Sequence, residues 1–319
     1  MTLPAALSGL RIPVVGAPMF LCSGPELVAA QCQAGIVGAF PALNARPQEV
    51  LDEWLSEISE RNTAYARAHP RAVVGPIAVN QIVHRSNDRL ERDMETIVAH
   101  RVPIVITSLG ARADINDAVH AYGGIVLHDV IDDRFARKAI DKGADGVIAV
   151  AAGAGGHAGA QSPFALVREI RTWFDGPLLL SGAIAHGRSV LAARAVGADL
   201  AYVGSAFLAT AEARNPEAYK DLIVDGSAAD IVNSNLFTGV HGNYLRGSIV
   251  AAGLDPDTLP TSDPSAMNFG SQAATEAKAW RDIWGAGQGI GAVTARTSAR
   301  EVIERLEREV AEGLAEVCR

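Results

Sequence analysis

Short apolar runs alternate with longer amphipathic stretches eight times within the first 208 residues, and this alternation constrains the fold more than any other feature of the chain. The candidate strands are 13–20, 36–42, 73–80, 104–110, 124–130, 146–152, 177–184 and 200–208. Helix-like stretches lie between them, for example 47–61, 88–100, 132–142 and 187–196. The runs are near-continuous in Val, Ile, Leu, Ala and Gly, as expected of parallel strands covered on both faces. Gly35, Gly143 and Gly197 each precede a strand, where a left-handed helix end costs least. Eight such units predict an α/β chain folded as one (β/α)8 TIM barrel rather than an open doubly wound sheet.

The periodicity stops after residue 210. Residues 211–290 are rich in Gly, Pro, Asn and Ser and carry only mixed helical fragments, the best at 276–284. They predict an excursion that caps the barrel mouth rather than a second domain. The segment 298–316 has apolar residues at helical spacing and alternating charges, with Ser298 near its N-cap and a capping box to Glu301. The expected organisation is a barrel core over 1–210, a capping excursion over 211–290 and a C-terminal surface helix within 291–319 that packs on the barrel.

The formal net charge of −8 excludes the basic face that a nucleic acid needs. Cys22, Cys32 and Cys318 have no metal-ligand or CxxC spacing, which suits reduced thiols, and no other His/Cys/carboxylate spacing points to a metal. The N-terminus lacks a basic region ahead of an apolar one, and no uninterrupted apolar run reaches about 18 residues. The expectation is a cytoplasmic protein with no membrane span.

In this fold, chemistry sits at the C-terminal ends of the strands. After the first strand come Ala17, Pro18, Met19 and Phe20, small enough to let backbone approach a flat ligand, or simply a tight turn. Asn80 ends the third strand; it both donates and accepts, which suits the edge of a flavin-like ring or a helix cap. His128, at the end of the fifth, either faces a ligand or satisfies a loop carbonyl. The strongest local signal follows the sixth strand, where residues 153–159 set His157 among glycines that free the backbone and leave room for a planar ligand. A loop histidine of this kind is poorly explained by core packing, and near neutral pH it serves as acid, base or donor. Gly182-Ala183 and Gly204-Ser205 end the seventh and eighth strands, where backbone N–H groups in this fold hold a phosphate, or where glycine serves close packing. There is no GxSxG to support a hydrolase, and GAGQG at 285–289 lacks the preceding strand of a dinucleotide turn.

Together, GAPMF at 16–20, AVN at 78–80, AGGHAG at 154–159, SGAI at 181–184, GADLAYVGSAFLAT at 197–210 and WGAGQG at 284–289 resemble the nitronate monooxygenases, once called 2-nitropropane dioxygenases. NYLRGSIVAAGLDPD and MNFGS extend the likeness, which covers most of the chain. The resemblance implies FMN, with its phosphate at Gly182, Ala183, Gly204 and Ser205. It places Ala17, Met19, Asn80, His128 and Gly156 with the cofactor, Gln288 reaching it from the excursion, and His157 as the active-site histidine. The implied reaction is oxidation of alkyl nitronates by O2 to a carbonyl compound and nitrite. The partners are then a small-molecule substrate and O2, with a second copy of the chain left open. Where relatives carry Gly-Gly, a Glu before the GGH, or a Lys after the fifth-strand histidine, this chain has Gly182-Ala183, Gly153-Ala154 and Asp129. The same barrel and AGGH pattern occur in FMN-dependent enoyl-acyl carrier protein reductases and NADH:quinone reductases. An NAD(P)H-dependent FMN reductase acting on a quinone or enoyl substrate is therefore the alternative, and a flavin-free phosphate-binding isomerase or synthase the third reading.

Overall fold

Parallel strands buried on both faces need a partner at each edge and cover on each side, and a closed barrel ringed by helices supplies both. In the computed structural model, which describes residues 3–262 and 282–318, eight strands meet this need. They are β1 (Val14–Gly16), β2 (Gly38–Pro41), β3 (Ile77–Ile82), β4 (Ile104–Ser108), β5 (Ile125–Val130), β6 (Gly146–Val150), β8 (Leu178–Ser181) and β9 (Leu200–Val203). The short β7 (Gly156–His157) stands outside the ring. Neighbours pair in parallel in the order β1-β9-β8-β6-β5-β4-β3-β2, and a bridge between Val15 and Val37 closes the circle. All eight predicted strands are present. The run expected at 73–80 starts later, because Gly75 is wedged against the Ile36 carbonyl and Pro76 has no N–H to give a ladder.

Strand alternation sorts the core into two shells. Val15, Ala78, Ile104, Ile106, Leu127, Ile148, Leu179 and Leu200 fill the barrel interior, joined by Leu3, Ala6, Leu7 and Leu10 from the N-terminal segment. Val14, Val79, Val105, Val126, Val147, Leu178 and Leu180 face outward against the helices. These are α1 (Pro25–Gln33), α2 (Val50–Ala68), α3 (Leu90–Ala99), α4 (Ala113–His120), α5 (Asp133–Asp141), α6 (Pro163–Ile170) and α7 (Gly187–Val196). In α2 the buried residues Leu51, Trp54, Leu55 and Ile58 recur at helical spacing, each stabilising by about 1.5–3 kcal/mol on burial. Gly35, Gly143 and Gly197 adopt left-handed φ of 93°, 94° and 116°, as their places before strands predict. Cys22, Cys32 and Cys318 are free thiols.

After β9 the chain forms α8 (Glu217–Val224), then β10 (Ile231–Ser234), β11 (Gly242–Leu245) and α9 (Arg246–Ala251). β10 and β11 pair antiparallel, and β11 pairs in turn with β7. The sequence does not foretell this second sheet. The helical fragment expected at 276–284 and the MNFGS stretch lie largely or wholly outside the described residues. The helix Ala299–Val317 carries the predicted capping box, with Ser298 and Glu301 bonded reciprocally. Its Leu306 carbonyl lies so near Gly187 that a Cβ there would come within 2.4 Å, so α7 and this helix pack backbone to backbone. No described helix is long and apolar enough to cross a membrane.

Candidate active site

The same alternation decides which strand-end side chains reach the mouth. On β3, β4 and β5 the inward residues end in Asn80, Ser108 and Asp129, all on the wall of one cavity. Asn80 Nδ2 donates to Ser108 Oγ at 2.7 Å, and Ser108 Oγ donates to Asp129 Oδ2 at 2.5 Å. Asp129 Oδ1 is buried without a hydrogen-bond partner. Burial pushes this carboxyl up to about 6, with the Ser108 bond opposing. Tyr202 lines the same cavity from β9.

His128 is one residue out of phase. It points outward beneath the helices, with Nδ1 2.6 Å from Thr107 Oγ1, and does not line the cavity. Burial, helped by Lys138, pulls its pKa down to about 4. The expectation that His128 meets the cofactor is thus corrected by strand parity, and its neighbour Asp129 takes the place at the wall. The one sequence signal for Asp129 was its departure from the lysine of relatives.

His157 reaches the cavity on β7. Gly156 takes φ 67°, and a Cβ there would meet nothing within 4 Å, so this turn borders open space. Register pairing of His157 with Gly242 and of Gly156 with Asn243 holds the imidazole on backbone rather than on a free loop. Its Nε2 lies 3.1 Å from Thr238 Oγ1, whose own proton goes to the Val240 carbonyl at 2.9 Å. With the Thr238 proton directed there, Nε2 is the donor of this pair. Burial holds the ring down at about 4, hence neutral at pH 7.

The glycine loops around it interlock. A Cβ on Gly287 would fall 2.6 Å from the Gly153 carbonyl, and one on Gly155 2.8 Å from the Gly287 nitrogen. Gly153 O accepts from both Ala183 N and Gln288 N, while Ala154 O accepts from Asn243 Nδ2 at 2.6 Å. Gln288 is exposed and does not line the cavity; its backbone, not its amide, ties the GAGQG turn to the histidine loop.

Ala17, Met19, Asn80, Gly156, His157, Gly182, Ala183, Gly204 and Ser205 are brought together on this one wall. Ala183 holds a left-handed φ of 54°, the conformation glycine would take there most easily. Ser205 Oγ accepts from Gly287 N at 2.9 Å, which binds the eighth strand end to the excursion. A Cβ on Gly204 would lie 3.4 Å from Ala17 Cβ and 3.7 Å from Met19 Sδ, so the first and last strands leave a thin apolar gap. The cavity measures about 1440 Å³, more than one small ligand needs. Small residues at the strand ends, thin apolar walls and one unfilled acceptor fit a flat phosphorylated ring with space beside it. Arg46, stacked on Phe20, and Arg214, stacked on Trp54, line the same cavity with Arg89 and Arg92.

The family profile described as nitronate monooxygenase matches residues 2–309. A nitronate monooxygenase of Paraburkholderia phytofirmans is 26% identical over 98% of this chain and 95% of its own. A Mycobacterium tuberculosis relative is 29% identical over 66% of this chain, which spans 60% of that protein's length. The solved nitroalkane oxidase of Streptomyces ansochromogenes, 24% identical, superposes over 98% of this chain and 100% of its own with a TM-score of 0.78.

Proposed function

Given that the chain belongs to the nitronate monooxygenase family and is a flavin-dependent oxidoreductase, we propose that it binds FMN and oxidises small alkyl nitronates with O2 to a carbonyl compound and nitrite. FMN, when bound, supplies the electron transfer and the reaction with oxygen. The phosphate is assigned to Gly182, Ala183, Gly204 and Ser205, and the ring to Ala17, Met19, Asn80 and Gly156. The described part of the segment 211–290 serves as a cap, since its β11 pairs with the strand bearing His157.

The observation that carries this reading is His157, a neutral imidazole on a glycine-flanked strand at the cavity wall. The imidazole takes the α-proton of a neutral nitroalkane, and in its protonated form it holds the resulting anionic nitronate in place. Burial of the ring keeps it unprotonated and ready as a base at neutral pH.

Anaerobic mixing with ethyl nitronate should bleach the visible absorbance of the oxidised flavin. His157→Asn should lower kcat/KM for neutral nitroethane by roughly 100- to 10,000-fold, the worth of one positioned base, with a smaller loss for the preformed nitronate. Equal turnover of both substrates by wild type and variant would remove His157 from the mechanism. Bleaching by NADH but not by nitronate would replace the reading with the reductase one.

A further inference from the structure

Among the described residues, the wall of this cavity holds a buried carboxylate oxygen without a hydrogen-bond partner. Asp129 stands at the C-terminal end of β5, its Oδ2 taken by Ser108 and its Oδ1 buried and unpaired. Among the described residues no cation acts on it. β3 and β4 offer Asn80 and Ser108, already bonded to each other. β6, the other neighbour, offers apolar Ile148 and Val150. A buried acceptor left unfilled by its own protein is costly, so its retention at a ligand-sized cavity marks the place of a donor that arrives with the ligand.

An oxidised isoalloxazine carries one N–H, the imide between its two carbonyls; its other polar edge atoms accept. We propose that Asp129 is a binding residue for the flavin ring, its Oδ1 accepting the imide N–H, and that the charge of its carboxyl sets the electron affinity of the bound ring. A carboxylate at that edge opposes an added electron, and a neutral carboxyl does not. This assignment rests on the flavin reading above.

Because the carboxyl titrates near 6, the influence switches within the ordinary working range. Tyr202 and His157, which share the cavity with it, stay silent there. Burial and Asp129 itself hold the Tyr202 hydroxyl well above its usual range, and His157 is held at about 4. The charged groups Arg46, Glu49, Asp88, Arg89, Arg92 and Arg214 line the same cavity.

The test is the midpoint potential of the flavin in the holoenzyme, followed by dye equilibration between pH 5 and 8. The wild-type potential should show an extra fall centred near pH 6. Asp129→Asn should abolish that fall, leaving a potential equal to wild type at pH 5 and more positive at pH 8. Ser108→Ala, which removes the donor favouring the charged carboxyl, should keep the fall but move it to higher pH. This second variant preserves the test if Asp129→Asn does not fold. A flavin-loaded Asp129→Asn protein whose potential tracks wild type at every pH overturns the assignment alone. A chain that takes up no flavin overturns the flavin reading and the assignment with it.

Discussion

At the scale of the residue, the two groups that matter most at the mouth are both titratable side chains moved by burial, in opposite chemical senses. His157 is held neutral, and Asp129 is held toward its protonated form. The Asp129 shift has a consequence for folding. Its folded value of about 6 lies above the unfolded value of about 3.9. The folded state therefore binds the extra proton, and the cost of burying the charge is absent below about pH 4, grows between 4 and 6, and is complete above 6. Asp129→Asn should stabilise the flavin-free protein at pH 8 by roughly 1–3 kcal/mol, less whatever the new amide loses by lacking a partner. The gain should vanish near pH 4. Urea denaturation at both pH values checks it, and an equal effect at both would show that Asp129 is not charged at pH 8.

At the scale of the element, His157 is positioned by segments far apart in sequence. β7 is two residues long and exists only because β11 pairs with it, and the GAGQG turn locks against the 153–156 backbone. Gly287 is the tightest point, with its N–H on Ser205 and its Cα facing the Gly153 carbonyl. Gly287→Ala should push the histidine loop off its seat, destabilise the protein by about 1–3 kcal/mol, the usual cost of overpacking, and weaken FMN binding. Gly291→Ala is the control, since a Cβ there meets nothing nearer than 3.8 Å. Equal FMN dissociation constants for the two variants, read by fluorescence, would show that the interlock does not shape the site.

At the scale of the whole molecule, a chain of net charge −8 lines its cavity with Arg46 and Arg214, stacked on aromatic rings, and with Arg89 and Arg92, which pair with Asp93 and Glu49. The two stacked guanidiniums offer a local positive field that draws an anion toward an otherwise repelling surface. Salt shortens the reach of that field, from a Debye length of about 10 Å at 0.1 M to about 3 Å at 1 M. For an anionic nitronate, kcat/KM should therefore fall several-fold over this range, whereas that for neutral nitroethane should hold steady. Arg46→Ala combined with Arg214→Ala should flatten the salt dependence. A nitronate profile as flat as that of nitroethane in the wild type would dismiss steering by the rim.

The sequence by itself determined the barrel, because each βα unit writes its own signal: an apolar run long enough to be a strand and a helix with one apolar face, with a glycine joining them at Gly35, Gly143 and Gly197. It also marked the glycine-flanked His157 and the small strand-end pairs at 182–183 and 204–205. It did not separate His128 from Asp129. Both sit at the end of the same strand, and only the phase of that strand in the closed ring decides which faces the interior. Nor did it reveal the β7–β10–β11 sheet, since strands of two to four residues carry little periodicity and pair only when the barrel brings their partners together. Local patterns are readable along the chain; phase and long-range pairing are settled by packing, and the detailed shape of this site was left to them.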